Sequence, residues 1–536
     1  MTITGNLLPS SEQSEPTSAS SHSSSSDTLK DFDIPHNGAD LSTYSKFLAL
    51  YCRSDKNDTF KSLEEKQNCK FEEQWPTFVD TIAGLDCYGS EISGRVTERI
   101  LPAPLADKFT NNLGMAVKIS EYTRDDECQI RGCVTTIENE NTFNNWFIYH
   151  ILDQSRLSLS EHPIVDKEVK YHELFADFFE KNLKNTIVND QWDFGGRDYF
   201  IERARYFTDR YLRIECILPA FPCKSSNEQK VYGSVPDKGE ELALKRLIKA
   251  TQDLVEVYPP GMKIWIVSDG HVFSDCIGVD DDVVSEYTTK LHELYGRVAI
   301  PGVDAIGFCG LNELFFSGAA SEIFNPNWVS DTEVAHYTGT QICPKSDLSR
   351  QILMKGCDTD AGRLRKQIAI DGHPRLHLYR GFSRFMMEDL SLLEHFQSFS
   401  KKKFKKVISM IAFNMIKRND AYSNLVELIF PHHLRISIHA HTNSGPKFGI
   451  KVISSEQCSI VSSLEDLDEP KFEDFLHIPT PWHNCVVKVE DDKEKYFLTK
   501  SKVIKDAIEK GSYDGEWKDT RFDIGEGGHF VIRKTS

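Results

Sequence analysis

Between Arg213 and Phe308 the apolar residues change their spacing repeatedly, and this alternation constrains the fold more than any other feature of the 536-residue chain. Arg213 to Leu218 is a short apolar run that reads as a strand. From Glu240 to Val257, Leu242, Leu244, Leu247, Ile248, Leu254 and Val255 form a helical face. Pro259, Pro260 and Gly261 then punctuate the chain before a second strand, Lys263 to Val267. Asp280 to Asp282 form a capping cluster ahead of Val283, Val284, Tyr287, Leu291 and Leu294, which share one helical stripe expected to end at Gly296. A further apolar segment runs from Val298 to Phe308. Repeated strand–helix–strand units predict an α/β domain with a largely parallel sheet. Ligands of such sheets sit beyond the carboxyl ends of the strands.

Outside this region the reading is coarser. Residues 1–40, rich in Ser, Thr, Glu and Pro, lack the large apolar side chains that offset ordering entropy, and a disordered tail is expected. Residues 41–165 read as a mixed accessory region, with helical spacing at Leu41–Leu50 and Phe71–Ile82 and a strand at Ile130–Ile137. Residues 166–490 form the core domain, and 491–536 a C-terminal extension. Tyr379 to Arg418 is mainly helical, interrupted by the basic run Lys401–Lys406. Leu434 to His441 reads as a strand, paired with Gly449–Ile453.

Composition narrows the function. Net charge is −18, which disfavours general nucleic-acid binding. No apolar run is long enough to span a membrane, and Met1–Ser10 does not read as a secretory signal. The 13 cysteines are scattered with no Cys-x-x-Cys pair, as expected of reduced thiols in the cytoplasm.

Five segments carry candidate chemistry. Pro222–Asn227 sets Lys224, Ser225 and Asn227 in a turn after the first strand, where a lysine binds phosphate or activates a ketone; an ordinary polar loop is the alternative. Ser268-Asp269-Gly270 ends the second strand, with Asp275 just beyond. Its carboxylate suits a base or an ammonium contact, and turn chemistry explains it equally. Tyr379–Phe385 places Arg380 and Arg384 four apart, as an anion clamp or as surface ion-pair formers. From Arg418 through Tyr422 to His441, alternation puts Arg435, Ser437, His439 and His441 on one strand face, a pocket wall able to bind anions or shuttle protons. His439 and His441 could instead share a metal, but no His-x-Asp or His-x-Glu exists to complete the usual iron triad, so no metal is expected. Thr480-Pro481-Trp482-His483 suits a lid over an aromatic substrate, or plain packing. Neither a Walker A loop nor Gly-x-Gly-x-x-Gly is present, and no nucleotide cofactor is expected.

Taken together and in this order, the five segments resemble the motif set of the pyoverdine/dityrosine biosynthesis family of isonitrile synthases, over roughly residues 165–490. The resemblance implies a Rossmann-like core that condenses the amine of L-tyrosine with the ketone of ribulose 5-phosphate. One carbon stays on nitrogen as an isonitrile, and hydration gives N-formyl-L-tyrosine, a spore wall dityrosine precursor that a downstream cytochrome P450 would couple. The expected catalytic residues are Lys224, Asp269 and His439. The expected substrate contacts are Ser225, Asn227, Asp275, Arg380, Arg384, Arg418, Tyr422, Arg435, Trp482 and His483. At least two of Lys224, Arg380, Arg384, Arg418 and Arg435 are expected to converge near Asp269. A non-catalytic scaffold for wall-precursor enzymes is the alternative.

Overall fold

A computed structural model of the chain describes residues 168–536 except 210, 323, 359–360, 431–432, 440, 454–457, 467–478, 491–494, 522–525 and 536. Ahead of these it describes strands β1 (Lys46–Arg53), β2 (Arg95–Arg99), β3 (Val117–Thr123), β4 (Gln129–Thr135) and helix α1 (Phe143–Gln154). The tail expected at 1–40 and the helix expected at Phe71–Ile82 lie outside the described residues. Of the helix expected at Leu41–Leu50, the described residues from Lys46 onward belong instead to strand β1, paired antiparallel with β4. Its run Phe47–Tyr51 is apolar throughout, so periodicity could not separate the two states and pairing decided.

The core is a five-stranded sheet of β5 (Ile214–Pro219), β6 (Met262–Ser268), β7 (Ile306–Gly310), β8 (Leu434–Ser437) and β9 (Lys447–Gly449), in the order β7-β6-β5-β8-β9. Every pairing in it is parallel. Both faces are covered, which is why β5 and β6 are nearly continuous apolar runs. On one side Cys216, Leu218, Ile264 and Ile266 pack among Leu244 and Leu247 of α4 (Lys238–Val255) and Tyr287 and Leu291 of α6 (Asp281–Val298). On the other, Ile217, Trp265 and Val267 meet α5 (Gly270–Ile277) and the long α9 (Lys401–Ile429). Each fully buried Ile or Leu there contributes roughly 1.5–3 kcal/mol. Also flanking the sheet are α2 (Tyr171–Asn182), α3 (Gly196–Thr208), α7 (Pro344–Cys357) and α8 (Pro374–Leu390).

Chain order runs outward from β5 to β7, then returns to β8 beside β5. The crevice of this doubly wound sheet therefore lies beyond the carboxyl ends of β5 and β8.

Several boundaries differ from the sequence reading. α6 continues through Gly296 to Val298, and its Asp280 makes no side-chain cap, accepting instead from the Gln341 amide. α8 opens at Pro374, where His373 Nδ1 accepts from the Arg375 amide, so Tyr379 lies mid-helix. Lys401–Lys406 opens α9 behind the Ser400 cap rather than interrupting a helix. β8 stops at Ser437, because the chain turns at Ile438 instead of extending to His441.

A second sheet, β10-β12-β11-β14-β13, comprises β10 (Ser459–Ile460), β11 (Cys485–Val489), β12 (Lys495–Thr499), β13 (Tyr513–Lys518) and β14 (His529–Lys534), with α10 (Ser501–Glu509) packed on it. The boundary expected at 490 falls between β11 and β12, which pair directly. The segment is also tied to α4: the Gly527 amide donates to Glu241, and the Lys238 amide to the Gly528 carbonyl.

Candidate active site

Beyond β5 the chain turns sharply. Phe221 has φ +56°, a left-handed conformation uncommon for an aromatic residue. Its ring packs on Trp482 at 5.0 Å between centroids, and its carbonyl accepts from Ser268 Oγ. The Pro222 carbonyl then presses against Gly270, where a Cβ would meet it at 2.3 Å and Val284 Cγ1 at 2.6 Å. Only glycine allows this contact. The turn after β5 and the turn after β6 are thus locked together, and Asp269 is fixed between them.

Asp269 precedes α5 without capping it through its side chain. Its Oδ1 is buried and has no hydrogen-bond partner among the described residues. Burial lifts its pKa to about 6. Tyr422, on α9, donates its hydroxyl to the Val267 carbonyl at 3.0 Å and closes this corner. Its buried phenol is pushed well up, first by burial, and feels the charges of both Asp269 and Arg435.

Arg435 of β8 lies opposite Lys447 of β9 in the parallel register. Its Nη1 reaches Glu427 at 3.3 Å. Burial lowers the pKa of Arg435, and it lowers that of Lys447 to about 8, with Arg435 adding repulsion. His441 Nε2 meets Ser437 Oγ at 3.0 Å, and burial with Lys447 and Arg435 depresses that imidazole to about 4. His439 is exposed past the end of β8. The two histidines do not share a strand face, because the strand has already ended.

Asp275 and Arg418 form a separate, fully internal network. Arg418 grips Asp275 with two nitrogens at 2.5 and 2.9 Å, and His336 Nδ1 reaches the same carboxylate at 2.7 Å. Opposing burial, Arg418 holds the Asp275 carboxyl well below the usual range. Arg350 joins the group through Asp281 at 2.5 Å. This network fastens α5, α6, α7 and α9 to one another.

Lys224 lies inside the fold, not in the crevice. Its ammonium contacts Asp237 at 2.7 Å, Glu240 at 2.8 Å and the Pro481 carbonyl at 3.1 Å. Despite burial, those carboxylates raise its pKa, which leaves no free amine for a ketone. Ser225 donates to Asp389 at 3.0 Å, and Asn227 Nδ2 to the Glu388 carbonyl at 3.3 Å. Both bind the loop to the end of α8. Lys230 completes that junction, 2.5 Å from Asp389 and 4.8 Å above the Phe385 ring. His483 stands edge-on to Phe385 at 5.1 Å. Arg380 and Arg384 are exposed on α8.

Residues 204–511 match the pyoverdine/dityrosine biosynthesis family. The chain belongs to that family. Over all 536 residues it is 88% identical to the spore wall maturation protein DIT1 of Saccharomyces cerevisiae, covering 100% of both chains. It is 33% identical over 306 residues to an L-tyrosine isonitrile synthase of Xenorhabdus nematophila, covering 57% of this chain and 76% of that one. Among solved structures, the PvcA protein of Pseudomonas aeruginosa aligns with TM-score 0.50 and 25% identity, over 68% of this chain and 99% of that one.

The five motifs of this family member do meet around the sheet's carboxyl edge, but as three clusters. Asp269 and Tyr422 lie at the corner after β6, and Arg435 acts on Tyr422 from β8. Asp275 and Arg418 lie in the internal network. Ser225, Asn227 and His483 meet the end of α8, with Trp482 buried beneath Phe221. None of the five expected cations contacts Asp269 among the described residues; Arg435 acts with it on Tyr422. Lys224 and Arg418 are consumed by ion pairs, and Arg380 and Arg384 face solvent. Sequence reasoning missed Lys447, Lys230 and Asp389. For Lys447 the usable signal was its period-two relation to Gly449, obscured because the last core strand was expected to begin only there.

Proposed function

We propose that this chain is an isonitrile synthase-type enzyme of dityrosine precursor synthesis. It places a one-carbon unit, drawn from ribulose 5-phosphate, on the amine of L-tyrosine. The observation that carries this reading is Asp269, a carboxyl with one unbonded oxygen and a pKa of about 6 at the crevice of an α/β sheet. Condensing an amine with a ketone requires a proton to leave nitrogen and another to reach the departing hydroxyl. A single carboxyl that titrates near neutrality can do both. Arg435, whose charge acts with that of Asp269 on Tyr422, supplies positive charge on the α9 side of the sheet in a chain of net charge −18. The similarity to an L-tyrosine isonitrile synthase supports the amino acid chosen.

Hydration of the isonitrile would give N-formyl-L-tyrosine, which a cytochrome P450 would couple through its rings. The reading places the enzyme in the cytoplasm; among the described residues no helix is long and apolar enough to cross a membrane. A scaffold would not require a buried carboxylate oxygen left unbonded at the end of a strand, so catalysis is the better reading.

The deciding experiment incubates the purified chain with L-tyrosine and ribulose 5-phosphate and follows products by mass spectrometry. An isonitrile, or its hydrated N-formyl form, is expected. No turnover with any pentulose phosphate, across the amino acids, overturns the proposal.

A further inference from the structure

We infer that Arg435 and Lys447 together form a seat for a phosphate monoester dianion, where the phosphate end of the pentulose co-substrate binds. The inference rests on the function proposed above and assigns its anion to two side chains.

The argument starts from backbone register. Parallel pairing sets Arg435 of β8 directly opposite Lys447 of β9, so two cations project side by side. Both feel Glu427 on α9, and Lys447 also feels Asp420 on α9 and Arg375 on α8. The carboxylates do not balance them. Asp420 is engaged by Arg375 at 2.8 Å. Glu427 reaches only one nitrogen of Arg435, at 3.3 Å. Arg435 Nε is buried without a hydrogen-bond partner, and no carboxylate among the described residues lies within ion-pair distance of Lys447. With Arg203 of α3, which also acts on Arg435, four cations thus face two carboxylates along β8 and β9.

Partly buried positive charge that is incompletely countered is destabilising; a bound dianion gives Lys447 a counterion and Arg435 Nε an acceptor. An arginine fork and a lysine point charge form a common phosphate pair. His441 and Ser437, hydrogen-bonded to each other beside them, add neutral polar groups. Arg380 and Arg384, exposed on α8, are not needed.

The position of Lys447 gives the seat a pH signature. Burial and then Arg435 lower its pKa to about 8, while Asp420 and Glu427 oppose the shift and Arg375 adds to it. Above that pH the seat loses one of its two charges. A sugar phosphate, with its second pKa near ~6, is already dianionic there.

The test is calorimetric titration of the full chain with ribulose 5-phosphate, ribulose, inorganic phosphate and L-tyrosine, the phosphorylated ligands with and without saturating L-tyrosine. Lys447→Met should weaken ribulose 5-phosphate binding by about tenfold or more, the size of one charge-assisted contact. L-Tyrosine affinity should change less than about twofold. Wild-type affinity for ribulose 5-phosphate should fall from about pH 7.5 to 9.5, and Lys447→Arg, which keeps its charge, should abolish that fall. Where Lys447→Met does not fold, judged by its melting curve, the comparison of wild type with Lys447→Arg decides. Unchanged ribulose 5-phosphate binding in Lys447→Met overturns the seat. So do a larger loss for L-tyrosine, which would assign the pair to its carboxylate, and an equal pH fall in Lys447→Arg. Binding needs no turnover. A chain that forms isonitrile while Lys447→Met binds normally loses the seat only. A chain that forms none while Lys447→Met loses phosphate binding keeps the seat and loses the reaction.

Discussion

Asp269 destabilises the fold whenever it is charged, because no described residue bonds its inner oxygen. Its folded pKa of about 6 lies above the ordinary aspartate value of 3.8. Below the lower value the carboxyl is neutral in both states and there is no penalty. Between about pH 3.8 and 6 the unfolded chain ionises while the buried carboxyl stays protonated, and the penalty grows to at most ~3 kcal/mol, constant above that window. Asp269→Asn, similar in shape and never charged, should therefore raise the melting temperature at pH 8 and leave it unchanged below about pH 3. The same substitution should lower kcat by roughly 10²–10⁴ if the carboxyl moves the protons. Thermal melts at both pH values, alongside turnover assays, check the pair of effects. Equal melting shifts at both pH values would mean the carboxylate is not strained. This carboxyl was visible in the sequence, because Ser268-Asp269-Gly270 follows an apolar strand. Its unbonded oxygen was not, since that depends on how Gly270 packs against a carbonyl 48 residues earlier.

At the scale of elements, Lys224 shows how a correct motif can carry a different role. Asp237 and Glu240 form a capping box at the start of α4: Asp237 accepts from the Gly239 amide, and Glu240 from that of Asp237. Two buried carboxylates cannot both stay charged there unaided, and burial pushes Asp237 well up. Lys224 neutralises them and, through the Pro481 carbonyl, pins the 481–483 turn to the same helix end. Lys224→Ala should destabilise the protein by roughly 3–5 kcal/mol, because it leaves buried charge uncompensated. A denaturant titration measures this, and a loss under about 1 kcal/mol would reject the structural role. The elements themselves were read unequally. β5, β6 and α4 were legible because long apolar patterns define them. β8 and its pairing with β9 were expected too, but not their ends, since they are three or four residues each and end at turns rather than by alternation. That misplaced end put His439 into the expected site and left Lys447 out of it.

Across the whole molecule, the last forty-odd residues behave as part of the fold. β12 and β14 flank β11 on either side, and the 526–528 segment bonds to α4. Removing residues 491–536 would strip both neighbours from the buried strand Cys485–Val489 and expose its edge. The truncated chain should be insoluble or melt far below the full chain, as soluble yield and melting curves would reveal. A soluble truncation with native melting would restore the view of this segment as an appendage. Composition could not reveal this, since the segment is polar at its ends and its apolar strands are short. The α/β class and the parallel sheet were legible, because strand–helix alternation leaves few other topologies. The order of strands has a consequence for how the protein is made. β5 sits mid-sheet, yet its neighbour β8 is translated only after α4, α6 and α9 have emerged. At ribosomal speed that interval is on the order of 10–40 s. Throughout it the central strand β5 has β6 on one side but an unpaired edge on the other. Any slowing of translation between β7 and β8 prolongs the period in which a chaperone, rather than the protein's own sheet, must cover that edge.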